Sequence, residues 1–191
     1  HLQMDPTLLV LTCERVRREL LQELALPELW SGRIQINVRG DLPLSMPIVV
    51  ESQWYPGGWR YQLLVPGQLE RPRLMRALTR ALLLEIANRG NLSQRLAEIP
   101  LWLEEGLATH LLAVHGDTLI PEIRTLTLVE RSTHSDAFVD ARRLLRGREL
   151  VPFADLSAAT SGQFEDESWE RFRRTAQLLV AELLNLPEGR T

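Results

Sequence analysis

The chain has 191 residues with 22 basic and 25 acidic side chains, a formal charge of −3, and all of its basic residues are arginine. The absence of lysine excludes Schiff-base chemistry, a lysine general base and a Walker-type phosphate loop. The near-neutral balance argues against a nucleic-acid partner, which asks for a basic surplus or stripe.

The length suits one domain over 1–191, with enough chain for a sizeable core. The single cysteine, Cys13, can close no internal disulfide and build no thiolate metal site. Residues 1–4 (His1-Leu2-Gln3-Met4) read as a tag remnant or a cut start. An extracytoplasmic location is therefore the expectation if an export signal was removed. No apolar run reaches the roughly 18 residues of a membrane span.

Residues 7–25 place Leu8, Leu9, Val16, Leu20, Leu21 and Leu24 at helical spacing, with Asp5 and Pro6 as start signals and Pro27 as the stop. The period then changes. Residues 33–38 alternate Ile34, Ile36 and Val38 toward one face, 47–52 read as a second strand and 60–65 as a third. Gly57-Gly58 is the expected tight turn between the last two. From Arg71 the pattern is helical: 71–90 with Pro72 near its start and Gly90 as its stop, apolar nearly all round in its second half, then 100–116 ending at Gly116. Shorter helical pieces are expected over 119–147, a helical turn over 151–158 and a long amphipathic helix over 166–186. One helix, three strands and then helices only predict an α+β fold, with a small, mostly antiparallel sheet of three to four strands. On this reading 5–70 form the helix-plus-sheet part and 71–191 the helical part.

Two segments carry a specific pattern: "ALLLEIANRG" (81–90) and "IPLWLEEGLATHL" (99–111). Together they resemble the core of the gluzincin-type zinc metallopeptidases, the peptidase MA-like family. In that family one helix carries H-E-x-x-H and a second, often P-x-W-L-x-E-G-x-A, supplies a glutamate as third ligand. Pro100, Trp102, Leu103, Glu105, Gly106 and Ala108 match the second motif position by position, and sixteen residues separate Asn88 from Glu105. The terminal "SWERFRRTAQLLVAELL" is similar, more loosely, to the family's late helix. The resemblance implies a zincin-like active-site helix followed by a glutamate helix, with Glu85 at the position of the general base.

The first motif departs from the family where chemistry is done. Aligned on Glu85, the two histidine positions are Leu84 and Asn88. Spacing of four puts both on one helix face, which is how two histidines there share a zinc ion. Leu84 has no lone pair and Asn88 offers only an amide oxygen. A catalytic zinc wants three protein ligands and an open position for water, and without it no water is activated for Glu85 to deprotonate. The expectation is therefore a catalytically inactive metallopeptidase-like domain with no zinc or other cofactor. Its vestigial cleft is formed by Leu84, Glu85, Asn88 and Glu105, and its partner is a peptide or protein segment, held by strand addition. The alternative is a hydrolase using Glu85 and Glu105 with a non-standard metal or none. A third reading is a scaffold piece of a larger chain.

The remaining histidines are poor replacements for the lost ligands. His1 is set aside with the amino terminus. His110 points some 140° away from Glu105 at about 100° per residue, His115 is offset from His110 by the same angle, and His134 lies in a polar segment. Bland readings stand beside the functional ones. Glu85 could simply pair with Arg89, and Trp102 could be core. Trp54, Tyr55 and Trp59 could cover a hairpin edge or form a binding patch. The arginines of 142–148, with Asp136, Asp140 and Glu149 nearby, read as a solvated face.

Overall fold

The computed structural model describes residues 2–3, 5–28, 30, 32–91, 93–120, 136–160, 162–164 and 166–186. His1 and His134 lie outside the described residues, as do 121–135 of the region expected to hold short helices.

The α+β architecture read from the sequence is the observed one. A two-residue strand β1 (Leu2–Gln3) precedes helix α1 (Pro6–Glu23). Asp5 caps α1 by accepting from the amides of Thr7 (2.9 Å) and Leu8 (3.0 Å). The helix ends two residues before the expected Ala25. Ala25 takes φ +51°, and the amide of Leu26 reaches back to the carbonyl of Leu21 at 2.8 Å. This backward bond closes the helix before Pro27 is reached.

Strands β2 (Arg33–Arg39), β3 (Val50–Tyr55) and β4 (Gly58–Pro66) form a three-stranded sheet in the order β2-β4-β3. β3 and β4 are an antiparallel hairpin, and β2 joins the other side of β4 in parallel, Ile36 opposite Leu63. A short β5 (Gln68–Leu69) pairs antiparallel with β1. Ile34, Ile36 and Val38 pack on the core as their alternation predicts. The second strand starts three residues later than the apolar run at 47–49 suggests, because Pro47 and Ile48 form a wall of a cleft. Pro56 and Gly57 make the hairpin turn, and Gly58 already belongs to β4.

The helical half follows: α2 (Arg71–Asn88), α3 (Leu101–Leu119), α4 (Val139–Leu145), α5 (Phe153–Ala158) and α6 (Asp166–Asn185). α2 stops just before Gly90, whose φ of +75° suits glycine. α3 runs through Gly116 instead of ending there, because Leu119 and Ile120 are buried in the core and hold the last turn in place. One hydrophobic core reaches from Leu9 on α1 through Leu63 and Val65 of the sheet to Leu184 on α6. α3 lies at its centre and packs against α1, α2, α5 and α6. No helix among the described residues is long and apolar enough to cross a membrane.

Candidate functional site

A cleft of about 1150 Å³ opens between α2, the 96–101 segment leading into α3, the Pro47-Ile48 wall ahead of β3, and α5 with the start of α6. Of the four residues expected to form the vestigial cleft, Leu84 and Glu105 line it. Glu85 and Asn88 are buried, but they are not among its lining residues.

Asn88 is committed to holding the connection between α2 and α3. Its Nδ2 donates to the Leu84 carbonyl at 2.7 Å, and its Oδ1 accepts from the Ala97 amide at 2.9 Å and from Asn91 Nδ2 at 3.3 Å. The same Leu84 carbonyl accepts from the Tyr61 hydroxyl at 2.9 Å. Burial drives the Tyr61 pKa up to about 12, so the phenol remains a donor.

Glu85 sits under the segment holding Trp30 and Gly32. Its Oε2 accepts from Arg89 Nη2 at 2.9 Å, which is the local ion pair that the spacing allowed. A Cβ on Gly32 would lie 2.1 Å from Glu85 Cγ, so any larger residue at 32 would displace this carboxylate. Trp30 closes the arrangement. Its indole donates to the Gly32 carbonyl at 2.9 Å, and the Arg89 guanidinium lies 5.5 Å from its ring centre.

Glu105 meets arginines from two other helices. Arg76 Nη1 on α2 is 3.7 Å from one carboxylate oxygen, and Arg173 Nε on α6 is 3.2 Å from the other. The Arg173 contact is close but misaligned, so neither Arg173 Nε nor Glu105 Oε2 has a hydrogen-bond partner. Glu104, also in the cleft, accepts from Arg80 Nη1 at 2.5 Å. Burial raises the pKa of both carboxyls, opposed at Glu104 chiefly by Arg80 and at Glu105 by Arg76 and Arg173. Burial likewise lowers the pKa of Arg173. The motif glycine has a steric reason. A Cβ on Gly106 would lie 2.6 Å from the carbonyl oxygen of Ala176 and 2.6 Å from Val180 Cγ2, so only glycine lets α3 press this close to α6.

These donors do not fit zinc. At the three aligned ligand positions stand a leucine, an amide whose oxygen already accepts two hydrogen bonds, and a carboxylate flanked by two guanidiniums. Among the described residues no three His, Cys, Asp or Glu side chains are placed to hold a metal ion. His110 and His115, offset on α3, nevertheless converge on α1. His115 Nε2 is 3.4 Å from Glu23 Oε1 and 3.8 Å from Glu19 Oε2, and His110 Nε2 is 4.0 Å from Glu23 Oε2. Burial lowers the His110 pKa, with Glu23 opposing and His115 adding. Cys13 is likewise quiet: burial, with Glu14 adding, lifts its thiol to about 12.

Trp54 and Trp59 pair across the hairpin on the side of Tyr61, while Tyr55 stands on the other side with the Arg60 guanidinium 4.3 Å from its ring centre. The three aromatics therefore share no single patch. Three of the four arginines of 142–148 are ion-paired on the surface, Arg142 with Asp136, Arg143 with Asp140 and Arg148 with Glu167. Sequence reasoning missed Arg76, Arg80, Glu104 and Arg173. The available signal was the spacing of Arg73, Arg76 and Arg80 along one face of α2.

Compared with known proteins, the chain matches no family model, no curated sequence and no solved structure.

Proposed function

We propose that this chain is a catalytically inactive, metal-independent domain of metallopeptidase-like design, whose cleft holds an extended peptide or protein segment. The observation that carries this reading is the fate of the three ligand positions. Leu84 offers no donor, the Asn88 carboxamide is spent on Leu84, Asn91 and Ala97, and Glu105 faces Arg76 and Arg173. Two guanidinium groups beside Glu105 supply the positive charge that a cation would otherwise bring to a carboxylate. A cation entering there would have to displace or overcome them.

The cleft suits a peptide. It combines apolar wall residues such as Ile48, Leu96 and Trp169 with the polar set on α2 and α3. β3, which follows directly from its Pro47-Ile48 wall, is an edge strand of the sheet with one side unpaired by any described strand. Metal analysis of the purified, dialysed chain tests the reading. The expected zinc content is far below one ion per chain, and stoichiometric zinc surviving dialysis would overturn it.

A further inference from the structure

The two edges of the three-stranded sheet are built differently. β2 ends on Arg33 and Arg39, both exposed and on the same face. A second β2 laid antiparallel against it about Ile36 would set arginine on arginine, and like charge of this kind keeps an edge from pairing. β3 has no such protection. Over Val50–Tyr55 it carries no proline and no arginine, its pairing with β4 runs without a bulge, and its inward residues Val50, Ser52 and Trp54 are uncharged. Alternate residues of an antiparallel strand turn amide and carbonyl away from the neighbour already paired. No described strand takes those of β3 on its free side.

The outer face of β3 is complementary to itself. Glu51, Gln53 and Tyr55 share that face and are all exposed. The Tyr55 hydroxyl donates to Gln53 Oε1 at 2.8 Å, which leaves Gln53 Nε2 free to donate. The Arg60 guanidinium of β4 lies 4.3 Å from the Tyr55 ring centre. Among the described residues Arg60 has no carboxylate partner and Glu51 no guanidinium. We propose that a second copy of this chain covers the edge, β3 against β3, antiparallel and in register about Gln53. Gln53 then faces Gln53, and each Nε2 donates to the other's Oε1, which keeps a second lone pair beside the one Tyr55 uses. Glu51 of each copy faces Tyr55 of the other, with the Arg60 guanidinium stacked on that ring, so one opposite-charge cross-strand contact is made twice. Val49, exposed in the single chain, comes to lie across the turn at Gly57. Two sheets of three strands become one of six. The contact is small, so the dimer separates on dilution. The inference concerns the sheet edge and stands apart from the reading of the cleft, but a peptide added along β3 must displace the second copy.

Sedimentation velocity of the full chain, from low micromolar to about 500 μM, tests this and is expected to shift from one copy to two. Glu51→Arg alone sets arginine against Arg60 of the second copy, and Arg60→Glu alone sets glutamate against Glu51. Each is expected to weaken the dimer at least about tenfold. Mixing the two variants restores opposite charges at both contacts, and the mixture is expected to pair about as well as the parent. Both residues are exposed, and the mixture contains no third variant, so recovery on mixing reads the contact and not the folding of either chain. A parent chain that stays single at the highest concentration overturns the proposal. So does a dimer that neither substitution weakens, and so does a loss that mixing does not recover.

Discussion

The first turns of α3 and its later turns hold buried ionisable groups in opposite ways. At the start, Glu104 and Glu105 face arginines of α2 and α6. Farther along, His110 and His115 face glutamates of α1. Burial is the largest influence on Glu104, Glu105 and His110 alike, and it favours the neutral form, so the carboxyls move up and the His110 imidazole moves down. The opposite charges nearby offset part of this without reversing it. The lesson is that one central helix ties three others to itself through charges whose response to pH has opposite sign at its two ends.

Three substitutions break or sharpen this contrast. The largest effect is expected at Gly106, which lies between the two clusters and sets how closely α3 meets α6. Gly106→Val places carbon atoms against the Ala176 carbonyl and Val180, and a loss of about 3 kcal/mol is expected from overpacking. Urea denaturation measures it, and a loss under about 1 kcal/mol would mean that α6 moves aside freely.

Arg173→Met is next. Removing one partner of a buried pair costs roughly 3–5 kcal/mol in general, but Arg76 still faces Glu105, so about 2 kcal/mol is expected at neutral pH. The Arg173→Met, Glu105→Gln double variant should recover at least half. The loss should also shrink toward pH 4.5, where Glu105, with its raised pKa, takes up a proton. A pH-independent loss would show that Arg173 acts by packing alone.

The smallest effect belongs to the histidine end. The folded pKa of His110 lies below its ordinary 6.5. The unfolded chain therefore takes up the proton first as pH falls. Its contribution to stability is complete above pH 6.5 and declines as pH drops from there to the folded value. Glu104 and Glu105 have the reverse sign: their contribution is present below 4.5 and is lost as pH rises through their raised folded pKa values. Thermal melts of His110→Leu between pH 7 and 5 should show a shallower acid loss than the parent, by up to about 1 kcal/mol. An unchanged slope would assign the acid loss to other groups.

Much of the frame was legible from local pattern. Asp5 and Pro6 mark the start of α1, Pro72 and Gly90 bracket α2, and the alternation of Ile34, Ile36 and Val38 marks the inner face of β2. Errors came where an apolar run served something other than its own element. Ile48 looked like strand and lines the cleft, and Gly116 looked like a stop but sits in a helix held by Leu119 and Ile120. At the site, Leu84 and Glu105 line one cleft, whereas Glu85 lies under Trp30 and Gly32 with Arg89.

By itself the sequence determined the α+β order of elements, the exclusion of lysine chemistry, and a leucine and an asparagine on either side of Glu85 at positions 84 and 88. These follow from residue identity and from periodicities of about two and 3.6 residues, which are properties of neighbouring side chains. Only the tertiary structure decided which polar groups are already spent. The Asn88 amide closes on Ala97, Glu105 is flanked by Arg76 and Arg173 from two other helices, and His110 and His115 meet on Glu23. Such pairings join residues whose separation in sequence carries no period. The packing of α3 against α1, α2 and α6 brings them within reach, and burial there makes each polar group take whatever partner that packing supplies.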